Sequence, residues 1–232
     1  MKNYRRSLLY ILFSIMLIFV SSGGCKKESS PEVENINIET YQPDLQRLRH
    51  HFNEIPRRTG TSTADSAVLI DGNDNKLFLV SDSNGELNII ATYDISPSKY
   101  GYGSARGSNQ TPWGVHVIAG KYGEDQPAGM CFYDRKPTGE IATIYTDTTD
   151  IEDDPVTSRI IWLKGLEDIN RTSYWRFIYI HGTNEEGLIG TPQSKGCIRM
   201  RNRDIIEFFD TIDTGMYVNI IRPENDTDSE EE

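Results

Sequence analysis

Cysteine is scarce in this chain. Three residues of 232, Cys25, Cys131 and Cys197, form no CxxC pair, and the four histidines offer no matching ligand spacing. A structural zinc needs about four such donors at close spacing, so no metal is expected. Positive charge is also short: 24 Lys and Arg face 35 Asp and Glu, for a formal net charge of −11. With no basic stripe, the chain has no electrostatic affinity for nucleic acid. Long apolar runs are missing as well. The one candidate, Leu8 to Val20, is 13 residues long, short of the ~20 that a bilayer-spanning helix requires. No internal repeat is apparent.

That short run has a setting of its own. Lys2, Arg5 and Arg6 precede it, and Ser22-Gly23-Gly24-Cys25 follows. Charge, apolar run and small residues in this order make a secretory signal, predicted over residues 1–24. A cysteine directly after small residues resembles the lipobox of bacterial lipoproteins, although Ser22 stands where leucine is more usual. The resemblance implies lipidation at Cys25, a membrane as partner, and a place in the cell envelope facing the periplasm. Residues 25–41 are polar and read as a flexible tether. Residues 42–64 read as a helical flank, with a short amphipathic helix over 43–56. There Leu45, Leu48 and Phe52 recur at helical spacing between Pro43 and Pro56. The acidic clusters Asp147 to Asp154 and Glu224 to Glu232 lack the alternation of a calcium loop. They read as a solvated loop and, over 223–232, a solvated tail.

Between them, residues 65–222 carry mostly strand signals. Ala67 to Ile70 and Lys76 to Val80 flank an Asp/Gly/Asn turn, which predicts a hairpin. Leu87 to Thr92, Val115 to Ile118, Ile160 to Leu163, residues 174–181 and Met216 to Ile221 continue the pattern. A helix is expected from Asn202, taken as its N-cap, through Asp210. Strands at about ten-residue spacing indicate a mainly β fold, a sandwich or barrel, with a few short helices.

The chemistry concentrates in residues 180–202. His181 closes an apolar strand, and Cys197 follows sixteen positions later, behind Gly196 and ahead of Ile198-Arg199. Cysteine catalysis uses a thiolate, and a neighbouring imidazole lowers the thiol pKa and takes its proton. Gly196 lets the backbone turn tightly, with its N–H available to a developing oxyanion. Ser194 can hydrogen-bond locally, and the planar fork of Arg199 suits a carboxylate. With Cys25 lipidated, Cys131 and Cys197 could pair, or Cys197 could remain a free nucleophile.

His181-Gly182-Thr183-Asn184, Ser194-Lys195-Gly196-Cys197-Ile198-Arg199, Thr111-Pro112-Trp113-Gly114 and Asn202-x-Asp204 together resemble the L,D-transpeptidase catalytic-domain family. Lys195 departs from it, since the family often has histidine there. The resemblance implies an L,D-transpeptidase-type β-sandwich over residues 65–222 and needs no cofactor. It implies Cys197 as nucleophile and His181 as general base and acid, oriented by the main-chain carbonyl of Gly182, with Gly196 in the oxyanion hole. Peptidoglycan stem peptides would be the partner, held by Ser194, Arg199, Lys195, Thr183, Asn184 and Tyr102, and a carbapenem would acylate Cys197. Formation of 3→3 cross-links with release of D-alanine is expected. A carboxypeptidase or endopeptidase on the same scaffold, or an enzyme acting on a wall-attached protein, would carry the same motif. A wall-binding lipoprotein without catalysis is the remaining alternative. Cys131, His50, His51 and His116 read as packing or surface residues, and 120–170 as a candidate lid.

Overall fold

The computed structural model describes residues 41–61, 64–152 and 154–226. The signal, Cys25, the tether before Tyr41 and the tail beyond Asp226 lie outside the described residues. The body is mainly β, as expected. Helix α1 (Leu45–Thr59) precedes β1 (Ser66–Asp71), β2 (Lys76–Ser83) and β3 (Glu86–Asp94). Next come β4 (Gly114–Tyr122), β5 (Met130–Tyr133), β6 (Lys136–Ile141), β7 (Thr157–Gly165) and β8 (Tyr179–Gly182). Then β9 (Ile198–Met200), α2 (Asn202–Thr211) and β10 (Tyr217–Ile221) complete the order.

The strands join in one hydrogen-bonded path, β3-β2-β1-β10-β4-β7-β5-β6, with β8 on β7 and β9 on β8. The predicted hairpin forms with Leu69 opposite Phe78 and Asp71 opposite Lys76. The unbroken apolar run of β1 is explained by burial on both faces. Val68 and Ile70 enter the main core with Ile161, Ile180, Ile198, Phe208 and Val218. Ala67 and Leu69 point the other way, into a second cluster with Leu48, Phe52 and Ile55 of α1. Alternation with period two feeds two cores from one strand.

Helix α1 thus packs into the body rather than standing apart as a flank. Asp44 caps it by accepting from the N–H groups of Gln46 and Arg47 at 3.0 Å. Pro56 does not end it, contrary to expectation: the helix runs on to Thr59 and stops at Gly60, whose φ is 68°. Gly60 can take this left-handed conformation without a Cβ penalty.

Two other expectations are corrected. Residues 174–178 are not strand. The chain turns through 171–177, Phe177 has φ of +56°, and only Tyr179–Gly182 pairs as β8. The aromatic run is apolar because Tyr174 stacks on Trp162 with centroids 4.0 Å apart, not because it joins the sheet. Asn202 is not the cap of α2. Arg201 holds that position with no side-chain capping bond, and Asn202 is buried beneath the site loop.

Candidate active site

The β7–β8–β9 region places the site. Trp162 pairs with Tyr179 and Ile160 with His181 across β7–β8, and Ile180 pairs with Ile198 and His181 with Arg199 across the parallel β8–β9 ladder. Residues alternate in facing, so Ile180 and Ile198 enter the main core. Ile160, Trp162, Tyr179, His181, Cys197 and Arg199 share the opposite face. His181 and Cys197 are therefore diagonal neighbours. Both line a cavity of ≈ 340 Å³ with Glu152, Asp154, Val156, Ser194 and Lys195.

His181 is buried, and its Nδ1 lies 2.7 Å from the carbonyl oxygen of Gly182. A carbonyl only accepts, so Nδ1 carries the proton and the neutral ring presents a basic Nε2. Burial lowers the imidazole pKa. The negative charge of Asp154 and the Gly182 bond work against that effect, and Arg199 adds to it. Gly182 can hardly be anything else, because a Cβ there would lie 2.7 Å from Asn202 Oδ1 and 2.8 Å from the Thr157 carbonyl oxygen.

Cys197 and Cys131 form no disulfide, which removes that alternative. The Cys197 sulfur accepts the Tyr179 N–H at 3.4 Å and donates to the Phe177 carbonyl at 3.6 Å. The expectation of a ready-made thiolate is corrected here. Burial pushes the thiol up to about 11. Asp154 pushes the same way, while the Tyr179 N–H and the charges of Arg176 and Arg199 only partly offset it. The resting pair is a neutral thiol and a neutral imidazole.

The loop before the nucleophile is built by Ser194. Its buried hydroxyl donates to the Cys197 carbonyl at 2.5 Å and accepts the Gly196 N–H at 3.2 Å. Gly196 has φ of +119°, which a glycine adopts without strain. In this state the Gly196 N–H is thus spent on Ser194 rather than offered to an oxyanion, and Ser194 both shapes the turn and lines the cavity.

The other expected contact residues fall into three groups. Lys195 is exposed at the cavity rim. Thr183 and Asn184 are buried under the site. The Thr183 hydroxyl donates to Asp154 at 3.1 Å and accepts the Glu185 N–H at 3.1 Å, while the Asn184 carbonyl takes the Tyr145 N–H at 2.7 Å. Arg199 is 1% exposed, and its Nη1 is held by Glu185 at 2.6 Å and Asp154 at 2.9 Å. It is not a free fork for substrate. Tyr102 is elsewhere: it packs at the edge of the main core, its N–H donates to Asp226 at 3.1 Å, and it lines no part of this cavity.

Asp154 and Arg176 escaped the sequence reading, and Asn202, expected only as a helix cap, has a different role. Asp154 belongs to an acidic run taken as solvated, yet it reaches into the site. Arg176, held by the carbonyls of Gly103 at 3.1 Å and Gln110 at 2.6 Å, directs positive charge at the sulfur. Asn202 accepts from Thr157 and Ser158 at 2.6 Å each and donates to the Thr183 carbonyl and Glu186 at 2.7 Å each, tying β7 to the loop after β8. His116 is enclosed between the Gly114 carbonyl and the Ser173 hydroxyl, each at 2.9 Å, away from the cavity. Among the described residues no cluster suited to a metal ion is found.

Compared with known proteins, residues 65–220 match the profile of the YkuD L,D-transpeptidase catalytic domain. YkuD of Bacillus subtilis, itself carried under a provisional L,D-transpeptidase name, is 51% identical over 43 residues, 18% of this chain and 26% of that protein. ErfK/SrfK of Escherichia coli, similarly named, is 50% identical over 46 residues, 20% of this chain and 15% of that protein. The matched stretches thus span about a quarter or less of these relatives' length. A solved L,D-transpeptidase from Mycobacterium smegmatis superposes with a TM-score of 0.44 at 16% identity, covering 69% of this chain and 60% of that one. Bd1075 of Bdellovibrio bacteriovorus gives 0.43 at 14% identity, covering 68% and 48%.

Proposed function

Because the chain belongs to the L,D-transpeptidase catalytic-domain family, we propose that it is an exported enzyme that cross-links peptidoglycan stem peptides through a Cys197 thioester. The observation that carries this reading is the diagonal placement of His181 and Cys197 on one face of β8–β9, both lining an open cavity.

The donor is a stem tetrapeptide. The Cys197 thiol attacks the carbonyl at the L-centre of its third residue as the thiol proton passes to Nε2 of His181. The C–N bond to the terminal D-alanine breaks, and His181 returns the proton to the leaving amine. An amine of a neighbouring stem then attacks the thioester. The new C–N bond forms, the C–S bond breaks, and the amine's proton returns through His181 to the sulfur. One amide replaces another, so no energy source beyond the donor is needed. The neutral resting pair fits general-base activation during attack rather than a stored ion pair. Lipidation at Cys25 would hold the domain at a membrane facing the periplasm.

The test uses the full chain in mild detergent with disaccharide tetrapeptide, read by mass spectrometry. A 3→3 dimer with free D-alanine supports the transpeptidase. Tripeptide alone would reassign the site to a hydrolase, and Cys197→Ala should abolish either product. No product from the intact chain would remove the catalytic reading.

A further inference from the structure

The arginine behind the nucleophile has one carboxylate too many. Arg199 is 1% exposed, and its Nη1 contacts Glu185 at 2.6 Å and Asp154 at 2.9 Å. Glu185 is itself 2% exposed and also accepts the Ile151 N–H at 2.6 Å. It neutralises the guanidinium alone. Asp154 is then surplus charge, and it is not adrift: Thr183 donates to its Oδ1 at 3.1 Å, and it lines the cavity beside His181 and Cys197. A partly exposed carboxylate left over from the arginine pair favours a cation that forms beside it. The group there that becomes a cation is the imidazole once it has taken the thiol proton.

We propose that Asp154 is a positioning residue for the proton transfer, its surplus charge stabilising the His181 imidazolium while Cys197 is acylated. This rests on reading Cys197 as nucleophile and His181 as base. The direction of its influence agrees, since Asp154 favours the protonated form of both His181 and Cys197. The same carboxylate therefore disfavours an idle thiolate and favours the imidazolium that accompanies attack. The other charged or titratable groups around the pair are Arg199 on β9, Glu152 and Lys195 on the cavity wall, and Arg176 and Tyr179 on the aromatic side, where Arg135 holds the Tyr179 hydroxyl at 3.0 Å. Asp154 and Glu185 are the two acids on Arg199, and of the two only Asp154 lines the cavity beside His181 and Cys197.

The proposal predicts opposite movements in two readouts. Asp154→Asn in the full chain keeps Arg199 paired with Glu185, so melting is expected to stay near wild type. Iodoacetamide should then alkylate Cys197 several-fold faster at about pH 9, because the thiolate is no longer repelled. Turnover of the tetrapeptide should fall by about tenfold or more, the equivalent of one pH unit of lost imidazolium stabilisation. Asp154→Glu should recover much of the turnover. A purely structural role would slow both reactions together, and that result overturns the proposal, as does an Asn variant with wild-type turnover. Alkylation needs no substrate. Faster alkylation of Asp154→Asn in a chain that leaves the tetrapeptide untouched would therefore sink the transpeptidase reading and keep the electrostatic coupling. Unchanged alkylation would sink the coupling whatever the substrate.

Discussion

The Ser194 hydroxyl donates to the carbonyl oxygen of Cys197 at 2.5 Å and closes the turn that carries the nucleophile. Ser194→Ala removes this bond and leaves a buried carbonyl and the Gly196 N–H without it. A stability loss of about 1–3 kcal/mol is expected, together with a fall in kcat of roughly 10- to 100-fold as the sulfur loses its set position. Thermal melting and steady-state kinetics on one preparation check both, and a variant with wild-type kcat would show that the turn holds without the serine.

A thiol pushed up to about 11 by burial responds to two reagents differently. Iodoacetamide needs the free thiolate, so its rate at Cys197 should be low near neutral pH and climb throughout the alkaline range. A carbapenem draws on His181 as base during attack, so its acylation of Cys197 should already proceed near neutral pH. Stopped samples read by intact mass give both curves. An alkylation rate that has levelled off by neutral pH would reveal a pre-formed ion pair instead.

Phe52 is 5% exposed and fills the second core with Phe78, Leu69 and Val115. Phe52→Ala should cost about 3–5 kcal/mol without altering the cavity beside Cys197, which α1 does not line. Chemical denaturation should register the loss while kcat at a permissive temperature stays within about twofold. A silent substitution would mean that α1 is dispensable to the body.

Burial lowers His116 to about 4, against hydrogen bonding to Gly114 and with help from Arg58. A neutral imidazole held below its unfolded value contributes stability above pH 6.5 that drains away as pH falls toward 4. Carried through in full, that difference amounts to about 3 kcal/mol. Melting temperatures from pH 7 to 4 should therefore fall less steeply in His116→Gln than in wild type. Equal slopes would place the acid sensitivity elsewhere, with His51, lowered to about 4 by burial and Arg47, as the next group to replace.

Much of this was readable from residue order. The β1–β2 hairpin, a strand through His181 and the helix near Asn202 follow from local apolar pattern and turn chemistry, while the pairing of His181 with Cys197 rested on the family resemblance. The rest depended on long-range contacts. Asp154 lies 29 positions from Thr183, its hydrogen-bond partner, and an acidic run gives no hint of which carboxylate turns inward. Arg199 carries the signature of a ligand-binding fork, yet Glu185 consumes it. Residues 174–178 read as strand because aromatic stacking on Trp162 demands the same apolar composition as a sheet. Burial, which no short window reports, decided the protonation of Cys197.

The two strands at the sequence extremes of the sheet, β1 and β10, run parallel as immediate neighbours, with Val68 opposite Val218. The last strand thus sits between β1 and β4 rather than at a margin. A nascent or truncated chain that lacks it has a gap through the middle of its ladder, and no subset of earlier strands can close the main core. Completion waits on an encounter between residues some 150 positions apart, the kind of distant closure that slows folding. Shortening the chain from its C-terminal side past residue 217 is therefore expected to remove the architecture as a whole, not to trim it.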